Sequence, residues 1–200
     1  MRVIWNAAAA GALVLLAPSA LAGQLTIVSV TPEGVACVFA PTCMVNASDT
    51  YGVFKLFGNG GVSRVLTRTY PGLPGTKAAG MTGYSLRLDL TASTALGMAN
   101  CIERLIVDVG PLASLPYAGK GNAEVFAVSG DSGAPLSSAT QSGGKITFTF
   151  AKPICPAIGA RPGQASLYFG FAAKSPPVPG KAQIVGTLEG TTTDVRVPKH

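Results

Sequence analysis

Between Lys145 and Cys155, apolar Ile146, Phe148 and Phe150 alternate with Lys145, Thr147 and Thr149. This period of two predicts a half-buried strand. Pro153 cannot donate to a ladder and is expected to end it, with Cys155 just beyond. A second amphipathic strand is predicted where Tyr84, Leu86, Leu88 and Leu90 alternate with Ser85, Arg87, Asp89 and Thr91. A third has Leu167, Phe169 and Phe171 on one side and Tyr168 and Gly170 on the other, and is expected to pair with the Ile146–Phe148–Phe150 strand. Residues 50–57 and 62–70 flank Gly58-Asn59-Gly60-Gly61, a hairpin signal because glycine and asparagine tolerate positive φ.

Further short strands are expected at 24–30, 35–39 (after a Pro32-Glu33-Gly34 turn), 104–109, 123–129, 182–188 and 193–197. One helical turn is expected at 94–99. Residues 71–83, 130–144 and 156–164 read as Pro/Gly/Ser loops, and Pro176-Pro177-Val178-Pro179-Gly180 as a break. Ten or eleven short strands with turns between them and almost no helical periodicity predict an all-β antiparallel β-sandwich, with a β-barrel as the alternative. No internal repeat of fixed period is visible.

The N-terminus changes the picture of where such a sheet protein works. Met1-Arg2, an apolar run over 7–17, Pro18 and Ala20-Leu21-Ala22 have the order of a secretory signal peptide. The expected organisation is therefore a signal peptide over 1–22 and a single all-β domain over 23–200. The apolar run is short of the roughly 20 residues of a membrane span, and none that long follows. Gln24 stands where a lipoprotein signal would carry cysteine, and the C-terminal Val195-Arg196-Val197-Pro198-Lys199-His200 lacks an apolar anchor tail. The expected location is periplasmic or extracellular, with no membrane span after signal cleavage. Charged residues make up 12% of the chain, against a usual value of about 25%, so the surface must be built largely from Ser, Thr, Gly, Asn and Gln. Four cysteines in an exported chain predict two disulfides, with three pairings open; the favoured one is Cys37 with Cys43, which flank a short loop containing Pro41, and Cys101 with Cys155, which each adjoin a strand end. Their spacing lacks the paired knuckles and nearby histidine of a zinc site.

Candidate chemistry is sparse. Gly130-Asp131-Ser132-Gly133-Ala134-Pro135-Leu136 resembles the nucleophile segment of chymotrypsin-like serine proteases. The resemblance would make Ser132 the nucleophile, with its own N–H and that of Gly130 as the oxyanion hole. That family places its histidine before the serine, whereas the only histidine here is His200, and Ala134 replaces the second glycine. Lys145, the lysine of a Ser–Lys variant, points to solvent on its predicted strand. The segment is read as a loop joining two strands. The carboxylates Glu33, Asp49, Asp89, Glu103, Asp108, Glu124, Asp131, Glu189 and Asp194 stand in no glycosidase or calcium motif, although Asp49, Asp131 and Asp194 are loop candidates for calcium.

Lys and Arg number 15 against 9 Asp and Glu, but they form no run, and Trp5 lies in the leader, so a base-stacking nucleic-acid groove is not expected. Tyr51, Tyr70, Tyr84, Tyr117 and Tyr168 are the aromatic candidates for sugar contact, with Tyr84 assigned to the core. Asn46-Ala47-Ser48 is a glycosylation sequon, meaningful in a eukaryotic source. These observations assign no catalytic, cofactor or metal residue. They predict an exported, non-catalytic structural, adhesive or ligand-binding module of the bacterial envelope or extracellular space. The alternative is a secreted hydrolase using carboxylates or Ser132. Expected partners are cell-surface or matrix polysaccharide or another envelope protein. An outward face carrying Arg87 and Lys145 is expected to hold acidic polysaccharide weakly and in a salt-sensitive way.

Overall fold

Alternation of period two decides the architecture, because it gives each central strand one apolar side and leaves two such sides to be buried against each other. The computed structural model describes residues 22–119, 121–130 and 132–199. The expected leader, apart from Ala22, lies outside the described residues, as do Asp131 and His200. In chain order the elements are β1 (Gly23–Gln24), β2 (Ile27–Val30), α1 (Pro32–Phe39), β3 (Ser48–Phe54), β4 (Asn59–Gly61), β5 (Ser63–Pro71) and β6 (Thr82–Asp89). There follow β7 (Ser93–Ala95), β8 (Ile102–Asp108), β9 (Leu115–Pro116), a 3-10 turn (Tyr117–Gly119), β10 (Asn122–Ala123) and β11 (Val125–Val128). The chain closes with β12 (Leu136–Ser142), β13 (Lys145–Ile154), β14 (Phe169–Ala173), β15 (Pro177–Gly186) and β16 (Thr191–Pro198).

Strand accounts for 56% of the structure and helix for 6%, so the fold is all-β. One six-stranded sheet has the order β1-β12-β13-β8-β15-β16 and the other β2-β11-β14-β6-β5-β3. Of the ladders in these two sheets only β2–β11 is parallel. Across the interior, Ile146, Phe148 and Phe150 of β13 and Leu105 and Val107 of β8 meet Tyr84, Leu86 and Leu88 of β6 and Phe169 and Phe171 of β14. At one side β16 and β3 approach closely, and the Thr193 hydroxyl donates to the Val53 carbonyl at 3.4 Å. No ladder joins them, so the sheets form a sandwich and not a closed barrel.

Several expectations are corrected. Residues 35–39 are not a strand but most of α1, because Thr31 caps the helix by accepting from the Gly34 N–H at 3.1 Å and Pro32 occupies the first turn. The Ser/Gly stretch 130–144 contains β12, which pairs with β13 through a Gly143-Gly144 turn. β14 does not pair with β13. It lies in the opposite sheet and faces it, with the Phe169 ring 4.9 Å from Phe148 and 5.7 Å from Phe150. The expected helical turn at 94–99 begins instead as β7, paired with β4. Pro153 lies within β13, at a break in register between Thr149 and Ile154, and does not end the strand. Pro177 and Pro179 open β15 where only β16 flanks it, the position in which a missing N–H is tolerated.

A second, smaller cluster covers the outer face of the β2-to-β3 sheet. There α1 contributes Val35, Val38 and Phe39, the 3-10 turn contributes Tyr117, and the sheet contributes Tyr70, Phe126, Val128 and Ala172. The Cys37–Cys43 disulfide pins the end of α1 to the loop after it, while Cys101–Cys155 ties the start of β8 to the end of β13.

Candidate functional site

The protease-like heptapeptide has a structural role that its composition conceals. Beyond the end of β6, the chain forms a hydrogen-bonded ribbon that turns the corner from one sheet to the other. The Ser166 N–H donates to the Leu88 carbonyl at 2.9 Å, the Ala134 N–H to the Ala165 carbonyl at 2.9 Å, and the Leu167 N–H to the Ala134 carbonyl at 3.0 Å. The Ala151 N–H then donates to the Pro135 carbonyl at 2.9 Å, which reaches β13. The buried Ser166 hydroxyl accepts from the Leu88 N–H at 2.9 Å and donates to the Leu167 carbonyl at 2.7 Å. Gly133 is required by this approach, since a Cβ there would run into the backbone of Ser166 and Leu167. The glycine that resembles part of a nucleophile loop is thus the point where two backbones touch.

Outside this corner lies an open cleft of about 780 Å³. Its cationic side chains are Arg87 from β6, Lys152 from the irregular part of β13 and Arg161 from the following loop, while Ser132, Thr91 and Gln164 add hydroxyl and amide groups. None of the three cations forms an ion pair among the described residues. The Arg87 guanidinium carbon lies 5.0 Å from the centroid of the Tyr168 ring, and that of Arg68 lies 5.6 Å from the same ring. Arg87 Nε is buried with no hydrogen-bond partner among the described residues.

The expected pairing of Arg87 with Lys145 on one face is overturned. Arg87 points from the outer side of one sheet and Lys145 belongs to the other sheet, at the far end of β13 from Lys152. Lys152 and Arg161, which the sequence reading did not single out, are what the fold brings to Arg87. Lys152 stands where the alternation of β13 breaks down before Pro153, and Arg161 sits in a Pro/Gly loop without periodicity, so no local pattern marks either as part of a site. Ser132 does line the cleft, but the lysine that lines it too, Lys152, is exposed, whereas a Ser–Lys nucleophile rests on a buried lysine.

The other candidates are dispersed. Asp49 accepts from Arg68 Nε and Nη2, both at 2.8 Å, and these hydrogen bonds hold its carboxyl below the usual carboxylate range. Asp194 pairs with Lys181 at 2.6 Å, so each of these two calcium candidates already faces a cation. The Glu33 carboxylate and the sulfurs of Cys37 and Cys43 lie within 4.8 Å of one another, but the sulfurs are bonded together and offer no thiolate. Tyr70, Tyr84 and Tyr117 are buried and Tyr51 is exposed. Burial pushes Tyr84 up to about 12, and its hydroxyl donates to the Ser175 carbonyl at 2.9 Å. Comparison with protein-family models, with curated proteins and with solved structures found no match for this chain.

Proposed function

We propose that the chain is an exported, non-catalytic β-sandwich module that retains acidic polysaccharide in the corner cleft. The observation that carries this reading is the convergence of Arg87, Lys152 and Arg161, without a neutralising acid among the described residues, on an open cleft that also presents Ser132, Thr91 and Gln164. Arginine forks suit carboxylate and sulfate oxygens, and the hydroxyl and amide groups suit sugar hydroxyls. The two disulfides fit an oxidising, extracellular or periplasmic environment. An open, solvated site of this kind attracts a polyanion by summed charge, and that attraction is screened over a Debye length of about 8 Å at physiological salt.

Elution from immobilised polygalacturonate with rising salt tests the reading. Wild type is expected to be retained at low salt and released as salt rises. Lys152→Ala with Arg161→Ala is expected to pass through, while Lys145→Ala with Lys181→Ala, which removes the same charge elsewhere, stays retained. Passage of wild type without retention, or equal loss in both double variants, would overturn the proposal. Because Ser132 stands in the same cleft, the hydrolase reading has its own check. Ser132 is expected to remain unlabelled by a fluorophosphonate probe, and labelling abolished by Ser132→Ala would restore it.

A further inference from the structure

The row of residues running across four strands on the outer face of the β2-to-β3 sheet is Phe126, Gly170, Ser85 and Arg68, each opposite the next in the ladders. The two middle positions are the smallest. Gly170 cannot be larger, since a Cβ there would overlap the Tyr84 carbonyl and the Phe126 ring. The Phe126 ring covers Gly170, so the depression lies over Ser85, flanked by Phe126, Tyr70 and Tyr168, and α1 spans it with Val35 and Ala36 while Cys43 and Val45 close one side. The result is a hollow of about 470 Å³, within the roughly 300–1,000 Å³ range of small-molecule sites.

We infer that this hollow binds a small, uncharged, mainly aromatic molecule carrying a single hydrogen-bonding group, of the chemical class of a phenol. The walls are apolar and aromatic, which favours offset or edge contacts with a ring. The Ser85 hydroxyl lines the hollow from a residue 5% exposed and has no hydrogen-bond partner among the described residues, so it is the group that a ligand hydroxyl meets. Charge at the walls excludes ions of either sign. Arg68 is committed to both oxygens of Asp49 and repels a cation, and the Glu33 carboxylate at the rim repels an anion. A charged ligand would be desolvated on the floor of the hollow, where Arg68 is already paired and the lining carboxylate without an ion pair among the described residues, Glu33, stays exposed at the rim. This site is separate from the corner cleft, and the two share no lining residue.

The probe is 2-naphthol, followed by its own fluorescence, with 2-naphthoate and 2-naphthylmethylammonium as charged counterparts of similar shape. Saturable binding of 2-naphthol is expected, with both ions about tenfold weaker or more, a factor equal to about 1.4 kcal/mol. Ser85→Leu, which fills the floor, and Ala36→Met, which fills from the helix side without altering the sheet, are each expected to abolish it. Amide shifts on titration should concentrate at Val35, Ser85 and Phe126. Lys152→Ala with Arg161→Ala should leave 2-naphthol binding unchanged, so failure here is distinct from failure of polysaccharide retention. No saturable binding, tighter binding of either ion, or binding unaffected by Ala36→Met would overturn the inference.

Discussion

Phe148→Ala is expected to lower the unfolding free energy by about 3–5 kcal/mol, the usual cost of removing a large buried aromatic ring. Phe148 has no exposed surface. Its ring lies 4.9 Å from Phe169 and 6.5 Å from Phe171 of the opposing sheet, and its backbone sits between Leu105 and Ala139 in the ladder. The neighbours that would have to move into the space belong to three strands held by their own hydrogen bonds, so collapse of the cavity is resisted from both sides. Thr147→Ala, one residue away on the outward side, is expected to change stability by no more than about 0.5 kcal/mol. Denaturant unfolding of the two variants measures the contrast, and a loss below about 1 kcal/mol for Phe148→Ala would mean that the sheets do not interlock around this ring.

The second large effect belongs to Cys101–Cys155. The bridge closes a loop with a sequence separation of 54, against 6 for Cys37–Cys43. On the chain-entropy account these are worth about 4 and about 2 kcal/mol respectively. Cys101→Ser with Cys155→Ser should therefore lower the thermal midpoint by about 8–16 °C, clearly more than Cys37→Ser with Cys43→Ser. The longer bridge also sits next to the register break in β13, where the ladder to β8 lapses after Thr149 and resumes at Ile154 opposite Ile102. Thermal scans of both double variants check the order, and an equal or reversed loss would show that local geometry outweighs loop length.

How far the fold was legible depended on whether a strand carries its own contrast. β6 and β13 alternate apolar and polar residues, and the β3–β5 hairpin announces its turn with Gly58 and Gly61, so all were readable. β12 was not, because Leu136–Ser142 contains only one buried residue, Ala139. It is a strand because the edge of β13 supplies a partner, which is a tertiary cause. The helix was missed despite Thr31, Pro32 and Glu33, which are cap, first-turn proline and first-turn acid. In a chain of strands, the unbroken apolar run Val35-Ala36-Cys37-Val38-Phe39 fits either period. The face of a strand was legible, but which faces adjoin was not. Arg87 and Lys145 were both read correctly as outward, yet they stand on different sheets. Arg87, Lys152 and Arg161 meet only because the ribbon through Ala134 and Ser166 carries one sheet into the other. The hollow beneath α1 lies over one small side chain, Ser85, a lack of bulk that no hydrophobic pattern registers.

The opening strands have a kinetic consequence. Gly23 pairs with Gln141 in one sheet, and Val30 pairs with Val128 in the other. The opening strands thus belong to both layers and meet partners about half the chain away or farther. Such distant pairings demand loop closure before any contact rewards it, which places all-β folds of this kind on a timescale of the order of milliseconds to seconds. As the chain is made or threaded from its beginning, β2 stays unpaired until the segment through Val128 has followed, and β1 until the segment through Gln141. During that interval they present open strand edges, the kind of surface that favours association between incomplete chains.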